Sequence, residues 1–268
     1  MRTLTAFAAF LLLTGFIRGV EDQINRIASE IDSTVGVAAL HIESGRRVSV
    51  RGDEQFPMGS VNKLPIALAF MRAVDSGRIS LSSDVTIQPA EFASGHSPIR
   101  EAAKGRAVTM SVEDLLEAML AESDNTASAA LLKLAGGPSA VEQRENTTPA
   151  EMLALLERFY RAEDRLSRAS HDRLMRIMTR SQTGGRRIKA GAPARASVAG
   201  RTGTMPGTVN DVGIITSPNG RDHVLMVVFT KGGKTSTMNQ RERAVADITR
   251  AVYRDLVGWQ PARKKRRD

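Results

Sequence analysis

Three short segments of this sequence carry residue types that together perform acyl transfer. They are Ser60–Lys63 (SVNK), Ser123–Asn125 (SDN) and Arg201–Gly203 (RTG), in that order along the chain. The first offers a hydroxyl nucleophile with an amine base, the second a further hydroxyl with a carboxamide, and the third a cation beside a glycine. Together these groups favour catalysis through a covalent acyl-serine intermediate.

The first segment supplies the nucleophile and its base. A helix places residues that are three positions apart on one face, so Ser60 and Lys63 would lie together there. The lysine amine can act as a base only when it is neutral, and burial near a cation such as Arg201 would lower its pKa in that direction. Alone, the pattern is weak, because a chain with this much serine contains about one such pair by chance. The alternative is an ordinary helix start with a solvated lysine.

The other two segments also have structural explanations. In Ser123–Asn125 the aspartate or the asparagine would cap the following helix, which explains at most one of the three residues. In Arg201–Gly203 the arginine could hold a carboxylate through two parallel N–H groups, and the glycine would let a substrate approach the backbone. Alone, an arginine at a strand edge is more often solvent-exposed. The order and context of the three segments therefore matter more than any one of them.

Helices and strands must bring these segments together. Hydrophobic periodicity predicts strands at 35–42, 47–51, 196–202, 208–216 and 224–230, and helices at 21–31, 60–75, 111–120, 127–135, 149–162, 170–180 and 239–257. We therefore predict an α/β fold of the α+β type, with a five-stranded antiparallel sheet flanked by the terminal helices. An all-helical subdomain completes it, and the active site lies in the cleft between the two parts.

The chain ends differ from this catalytic domain, which we predict over 20–260, with an α/β part at 20–58 and 190–260 and a helical part at 59–189. Residues 1–19 hold Arg2 followed by the apolar run Leu4 to Ile17, which is too short to span a bilayer comfortably. They predict a secretory signal or, because a small-residue cleavage pattern is missing, an uncleaved anchor. We expect export, to the periplasm or beyond. Residues 261–268 form a basic tail.

Composition limits the partners and cofactors. The net charge is +9, aromatic residues are 4% of the chain, and cysteine is absent. A solvated basic tail is expected, with contact to an anionic cell wall or membrane surface as the alternative; nucleic acid is not expected, since no binding motif is present. The four histidines are dispersed without ligand spacing, so we expect neither a metal nor a cofactor. We expect a monomer.

From about residue 35 to residue 256 the chain resembles the class A serine β-lactamases and their penicillin-binding relatives. The resemblance rests on the three segments and on neighbouring stretches, namely FPMG at 56–59, DNTA at 124–127, GGP at 136–138 and TTPA at 147–150. It implies that Ser60 is the acylated nucleophile and Lys63 its base. It also implies that Ser123 passes a proton to the leaving lactam nitrogen and that Asn125 binds the substrate's side-chain amide.

The resemblance implies further contacts to substrate. Arg201 and Thr202 would hold the substrate carboxylate, with arginine standing where many family members have lysine. Gly203 would line the same strand edge. The Ser60 backbone N–H would donate to the oxyanion that forms on the substrate carbonyl, and Thr204 would give the second N–H donor. His96 matches a position where the family often has an aromatic wall residue, and its alternative is a plain loop histidine.

One departure from the family pattern concerns the second half of the reaction. Between the Gly-Gly-Pro and Thr-Thr-Pro landmarks only residues 139–146 remain, so roughly 25 residues are absent, including the glutamate that activates the deacylating water. Glu142 and Glu145 are the carboxylates of this short connection. Either could reach the cleft, although an exposed cap or helix-end role is the simpler expectation for each.

Three functions remain open. The first is a β-lactamase-like hydrolase that is acylated on Ser60 and deacylates slowly. The second is a penicillin-interactive enzyme whose substrate is a D-alanyl-D-alanine peptide, because a shortened loop would admit a larger ligand. The third is a non-catalytic binder of muropeptides or β-lactams, against which the nucleophile and its base argue.

Overall fold

The computed structural model describes residues 19–137, 144–233 and 235–258. The predicted signal or anchor lies outside the described residues, except for Gly19. The basic tail and Glu142 also lie outside them. Among the helices of the described ranges, none has the length and apolar character that a bilayer span requires.

A five-stranded sheet joins the two ends of the chain. Its strands are β1 (Thr34–His41), β2 (Arg47–Val50), β7 (Ser197–Met205), β8 (Thr208–Thr216) and β9 (His223–Lys231), in the spatial order β2-β1-β9-β8-β7. Every pairing is antiparallel. The N-terminal hairpin joins the C-terminal meander because β1 pairs with β9 along its whole length, from Thr34 opposite Lys231 to His41 opposite Val224. The predicted sheet is confirmed.

The two faces of the sheet are covered by different helices. Helices α1 (Val20–Ser29) and α9 (Met238–Val257) pack against each other and the sheet, with the short α8 (Ile188–Gly191) beside α9. Their apolar residues recur at helical spacing, and they bury one core with the sheet residues that face them. The opposite face packs on the helical part of the chain and forms the second core.

The helical part carries six α-helices within the described residues. They are α2 (Lys63–Asp75), α3 (Pro98–Ala103), α4 (Val112–Glu117), α5 (Asn125–Leu134), α6 (Pro149–Tyr160) and α7 (Arg168–Thr179). Two small antiparallel ladders accompany them: β3 (Phe56–Pro57) with β6 (Asn146–Thr147), and β4 (Asp84–Ile87) with β5 (Val108–Ser111). The subdomain is therefore predominantly helical rather than all-helical. The second ladder and α3 lie between the predicted helices 60–75 and 111–120, a stretch for which the sequence predicts no helix or strand.

Local sequence signals fix the ends of the helices that carry the site. The Thr148 hydroxyl accepts a hydrogen bond from the Glu151 N–H at 3.0 Å, and the Glu151 carboxylate accepts one from the Thr148 N–H at 3.1 Å. This capping box starts α6 at Pro149. The predicted helix over 111–120 instead ends at Glu117, and Ala118–Glu122 continue it as a π-helical turn. That wider turn leads directly into Ser123.

Candidate active site

A cleft of about 690 Å³ lies between the helical part and the edge of β7. Four of the predicted site residues line it, namely Ser60, Lys63, Asn125 and Thr204. Ser123, Arg201, Thr202, Gly203 and His96 do not line the cleft directly. They lie behind its wall or beside it, as follows.

Ser60 lies in the first turn of the predicted helix. The turn Gly59–Asn62 is a 3₁₀-helix, and α2 continues it from Lys63. Gly59 has a φ of +53°, and the preceding Met58 N–H donates to the Glu145 carbonyl at 2.8 Å. The left-handed backbone conformation at this position favours glycine, and it sets the direction of the turn. Ser60 is half-buried and faces the cleft.

Lys63 is buried behind Ser60. Its Nζ donates to the Ser123 carbonyl at 2.7 Å, to Asn125 Oδ1 at 2.7 Å and to Ser123 Oγ at 3.4 Å. Among the described residues Lys63 Nζ forms no hydrogen bond with the Ser60 hydroxyl, so the contact that nucleophile activation needs is not made in this structure. Catalytic hydrogen bonds often form only in the substrate complex.

The protonation of Lys63 suits a base. Its pKa is lowered to about 7, first by burial and then by the Arg201 cation, with the Asp124 carboxylate acting in the opposite sense. This is the direction that the sequence predicts. An amine with such a pKa is substantially neutral near pH 7 and can accept a proton.

The Ser123–Asn125 segment divides into one structural and two site-facing residues. Asp124 is the N-cap of α5: its Oδ1 accepts from the Ala127 N–H and its Oδ2 from the Ile99 N–H, both at 2.8 Å. Ser123 precedes it in a left-handed conformation, with φ of +68°. The cap therefore explains Asp124 alone, while Ser123 and Asn125 face Lys63 from either side.

Arg201 is fully buried, so the simple reading of a solvent-exposed strand-edge arginine is wrong. Its Nη2 donates to Ser123 Oγ at 2.7 Å, while Nε and Nη1 have no hydrogen-bond partner among the described residues. Burial lowers the pKa of Arg201 to about 9, and the Asp211 carboxylate partly opposes this shift. The guanidinium thus places positive potential behind Ser123 and Lys63.

The rest of the RTG strand packs against the turn that carries Ser60. A Cβ on Gly203 would lie 2.3 Å from the Met58 carbonyl oxygen and 3.3 Å from the Ser60 nitrogen. The glycine is therefore needed for contact between β7 and this turn of the protein itself. A Cβ on Gly59 would lie 3.5 Å from the Thr204 nitrogen. The close packing makes the Ser60 and Thr204 amides neighbours at the cleft.

Thr202 and His96 hold surrounding loops. The Thr202 hydroxyl donates to the Thr183 hydroxyl at 2.8 Å and is itself buried. His96 Nε2 lies 2.9 Å from the Glu122 carbonyl oxygen, and the His96 carbonyl accepts from the Asn125 N–H at 3.0 Å. His96 thereby joins its loop to the SDN segment at the rim of the site.

Sequence reasoning missed two buried charged residues under β7. Arg187 Nη2 donates to the Thr204 hydroxyl at 2.8 Å, and its Nη1 donates to the Asn210 carbonyl at 2.9 Å. Asp211 accepts from the Ile188 N–H at 3.0 Å, and burial raises its pKa to about 7 against that hydrogen bond and nearby cations. Arg187 lies in a run of basic residues and Asp211 within a strand, so no spacing pattern marks either.

The shortened connection contributes one carboxylate-bearing residue to the cleft within the described residues. Glu145 lines the same space as Ser60 and is exposed. Its carbonyl holds the Met58 N–H, which fixes its backbone beside the turn that precedes the serine.

The model of the β-lactamase enzyme family matches residues 19–256 of this sequence. The chain belongs to that family. It is 29% identical to β-lactamase VEB-1 of Pseudomonas aeruginosa, over 86% of this chain and 88% of that protein. It is 28% identical to the extended-spectrum β-lactamase PER-1 of the same organism, over 87% and 86% of the two chains.

Solved structures share the fold. A β-lactamase from Chitinophaga pinensis DSM 2588 superposes with a TM-score of 0.81 at 31% identity, covering 87% of this chain and 98% of that one. An ancestral class A β-lactamase superposes with a TM-score of 0.81 at 30% identity, covering 87% and 98%. The resemblance to class A serine β-lactamases is confirmed.

Proposed function

We propose that this β-lactamase family member hydrolyses β-lactams through an acyl-enzyme on Ser60 and releases the acyl group slowly. One observation carries the proposal: a buried lysine with a pKa of about 7 lies in the same cleft as Ser60 and contacts the Ser123 and Asn125 side chains. An ordinary solvated helix-start lysine would have neither the burial nor these partners.

Acylation uses the groups in the following order. Ser60 Oγ bonds to the lactam carbonyl carbon and its proton passes to neutral Lys63 Nζ. The Ser60 and Thr204 N–H groups donate to the resulting oxyanion. The C–N bond then breaks, and the nitrogen takes the hydroxyl proton of Ser123, which Lys63 replaces.

The hydrogen bonds of Ser123 support its role as proton carrier. Its oxygen accepts from Arg201 and from Lys63, so its own proton is directed away from both cations. The Arg201 charge stabilises negative charge that develops on Ser123 when that proton leaves. We assign substrate carboxylate recognition to this same positive potential, with the Arg201 guanidinium as its source and the Thr202 hydroxyl as the neighbouring donor.

The chain lacks the family's long loop and, with it, the glutamate that activates water for deacylation. A positioned general base contributes typically 10²- to 10⁴-fold, so its loss slows hydrolysis of the acyl-enzyme by about that factor. Glu145 remains at the cleft as the one candidate among the described residues. Replacement of Glu145 tests whether it acts as the general base of deacylation. We expect that it does not, so Glu145→Gln should change the adduct lifetime by less than about threefold. The matched control is Glu113→Gln, at an exposed position.

A second function, acyl transfer on a D-alanyl-D-alanine peptide, is favoured by the exposure of Glu145 and Asn146 at the cleft. An open rim admits a larger ligand than a covered one. Release of D-alanine from a diacyl-Lys-D-Ala-D-Ala peptide, faster than turnover of a chromogenic cephalosporin, would select this function. Reversible penicillin binding without covalent labelling would instead select a binder.

We also propose that the chain is exported, on the apolar N-terminal run and on its membership in this family. Fractionation of cells that express the full sequence tests this. Activity in the periplasmic or culture fraction supports export, and activity confined to the cytoplasm contradicts it.

A further inference from the structure

A second cluster of chemically competent side chains lies at the opposite end of the sheet from the cleft. His41 ends β1, Glu43 lies in the turn after it, and Asp222 and His223 lie where the β8–β9 turn enters β9. Across the sheet, Thr202 pairs with Asp211, Asp211 with Val228, and Val228 with Val37 of β1. Val37 is four positions before His41, which is roughly 13 Å along the strand. The histidines are dispersed in the sequence, but the pairing of β1 with β9 brings two of the four together.

The geometry of this cluster is that of a ligand set. His41 Nε2 lies 3.0 Å from Glu43 Oε2 and 3.4 Å from Asp222 Oδ1, and the three ligand atoms lie within 4.8 Å of one another. Ligands bound tetrahedrally to zinc at about 2.0–2.2 Å are about 3.4 Å apart. The two distances from His41 Nε2 are therefore close to that value, and the two carboxylate oxygens lie within 4.8 Å of each other.

The surroundings of the His41 ring are those of a cation ligand. The His41 side chain has an exposed fraction of only 8%. Its Nε2 has no hydrogen-bond partner among the described residues, although two carboxylates are near. If Nδ1 donates to the Ser44 hydroxyl, which lies 2.7 Å away, the lone pair of Nε2 faces two anions. If Nε2 carries the proton instead, that proton has no aligned acceptor. A metal ion resolves both cases.

Surrounding hydrogen bonds hold Glu43 by its carboxylate and Asp222 by its backbone. Glu43 accepts from the His223 N–H at 2.9 Å, and His223 Nδ1 lies 2.7 Å from its other oxygen. The Asp222 N–H donates to the Ser217 hydroxyl at 2.9 Å, which closes the turn. Such second partners of ligands orient metal sites. Glu43 and Asp222 are partly exposed, so an ion can enter from solvent.

We propose that His41, Glu43 and Asp222 bind one divalent transition-metal ion. Zn²⁺ suits this set of one imidazole and two carboxylates. Water completes the coordination, and His223 orients Glu43. The site ties the β1–β2 turn to the β8–β9 turn, far from Ser60. Its role is structural: an ion that binds only the folded chain stabilises it.

Calorimetric titration of the full-length, chelator-treated and untagged chain with ZnCl₂ tests the site. We expect one ion per chain, and Glu43→Gln and Asp222→Asn should each weaken binding at least about tenfold. His171→Asn is the matched control, because His171 lies 3.4 Å from the Asp172 carboxylate and belongs to a separate pair. It should leave the affinity unchanged.

A spectroscopic readout accompanies the titration. Co²⁺ in place of Zn²⁺ should give visible absorption typical of a four-coordinate site in the wild type and in His171→Asn, and His41→Asn should abolish it. Glu43→Gln and Asp222→Asn, at partly exposed positions, decide the matter if His41→Asn fails to fold. Absence of stoichiometric binding, or wild-type affinity in both carboxylate variants, overturns the proposal.

Discussion

Arg201 Nη2 and Ser123 Oγ are joined by a 2.7 Å hydrogen bond that is buried inside the protein. This bond links the RTG strand to the SDN segment, which also contacts Lys63. The three sequence segments thus converge through a cation that has two further donors without partners among the described residues. Burying a charge whose donors lack partners lowers the free energy of unfolding. Such an arrangement is retained at functional sites.

Arg201→Met should therefore raise stability and lower activity together. Methionine fills most of the same volume without a buried charge, so we expect the free energy of unfolding to rise by about 1–4 kcal/mol in urea titrations. Acylation by benzylpenicillin should slow at least about tenfold, since Ser123 loses its cationic donor. Arg176→Met, at an exposed helix position, is the control and should change stability by less than about 0.5 kcal/mol. Loss of stability in Arg201→Met would count against this account of the buried cation.

Acylation should depend on pH through Lys63. Because its pKa is lowered to about 7, the neutral amine increases as the pH rises from 5 to 8. The second-order rate of acylation should rise about tenfold per pH unit below 7 and level off above it. Stopped-flow measurement with a chromogenic cephalosporin provides the profile.

The matched variant is Lys63→Arg, which keeps a positive charge but cannot release its proton at these pH values. Its acylation rate should be lower by about 10²- to 10⁴-fold and should lack the step near pH 7. Lys133→Arg, at an exposed position, should keep the wild-type profile. A step retained in Lys63→Arg would assign the base elsewhere.

Much of the fold can be predicted from the sequence because its signals are local. The capping box at Thr148 and the strand-like run 208–216 each place an element to within a residue or two. The π-helical turn before Ser123 and the burial of Arg201 cannot be predicted this way, since both follow from packing between distant segments. The same holds for the convergence of His41 with Asp222, which depends on strand register.

Gly203→Ala should damage both stability and acylation. The new Cβ would lie 2.3 Å from the Met58 carbonyl oxygen, so β7 must move away from the turn that carries Ser60. We expect a loss of about 1–3 kcal/mol in unfolding free energy and slower acylation, because the Ser60 and Thr204 amides separate. Gly185→Ala, where a Cβ meets no atom within 4 Å, is the control. Wild-type acylation in Gly203→Ala would show that the spacing of these amides does not matter.

Asp211 should make stability fall with rising pH. Burial raises its pKa from 3.8 to about 7, so between these values the folded chain binds more protons than the unfolded chain. The contribution of this group is full below pH 3.8 and is lost toward pH 7, at up to about 1.4 kcal/mol per pH unit. Asp211→Asn removes that slope, whereas Asp84→Asn, at an exposed position, keeps it. Urea unfolding at pH 5, 6, 7 and 8 measures it, and identical slopes in wild type and Asp211→Asn would contradict the assignment.

Intact-mass spectrometry over time, with excess benzylpenicillin, tests the central claim most directly. The account predicts one stoichiometric adduct on the wild-type chain, mapped by peptide analysis to Ser60, which persists after free drug is removed. Ser60→Ala should give none, while Ser128→Ala, which changes another serine of the same cleft, should behave as the wild type. Undiminished labelling of Ser60→Ala, or sustained turnover with no detectable adduct on the wild type, would contradict it.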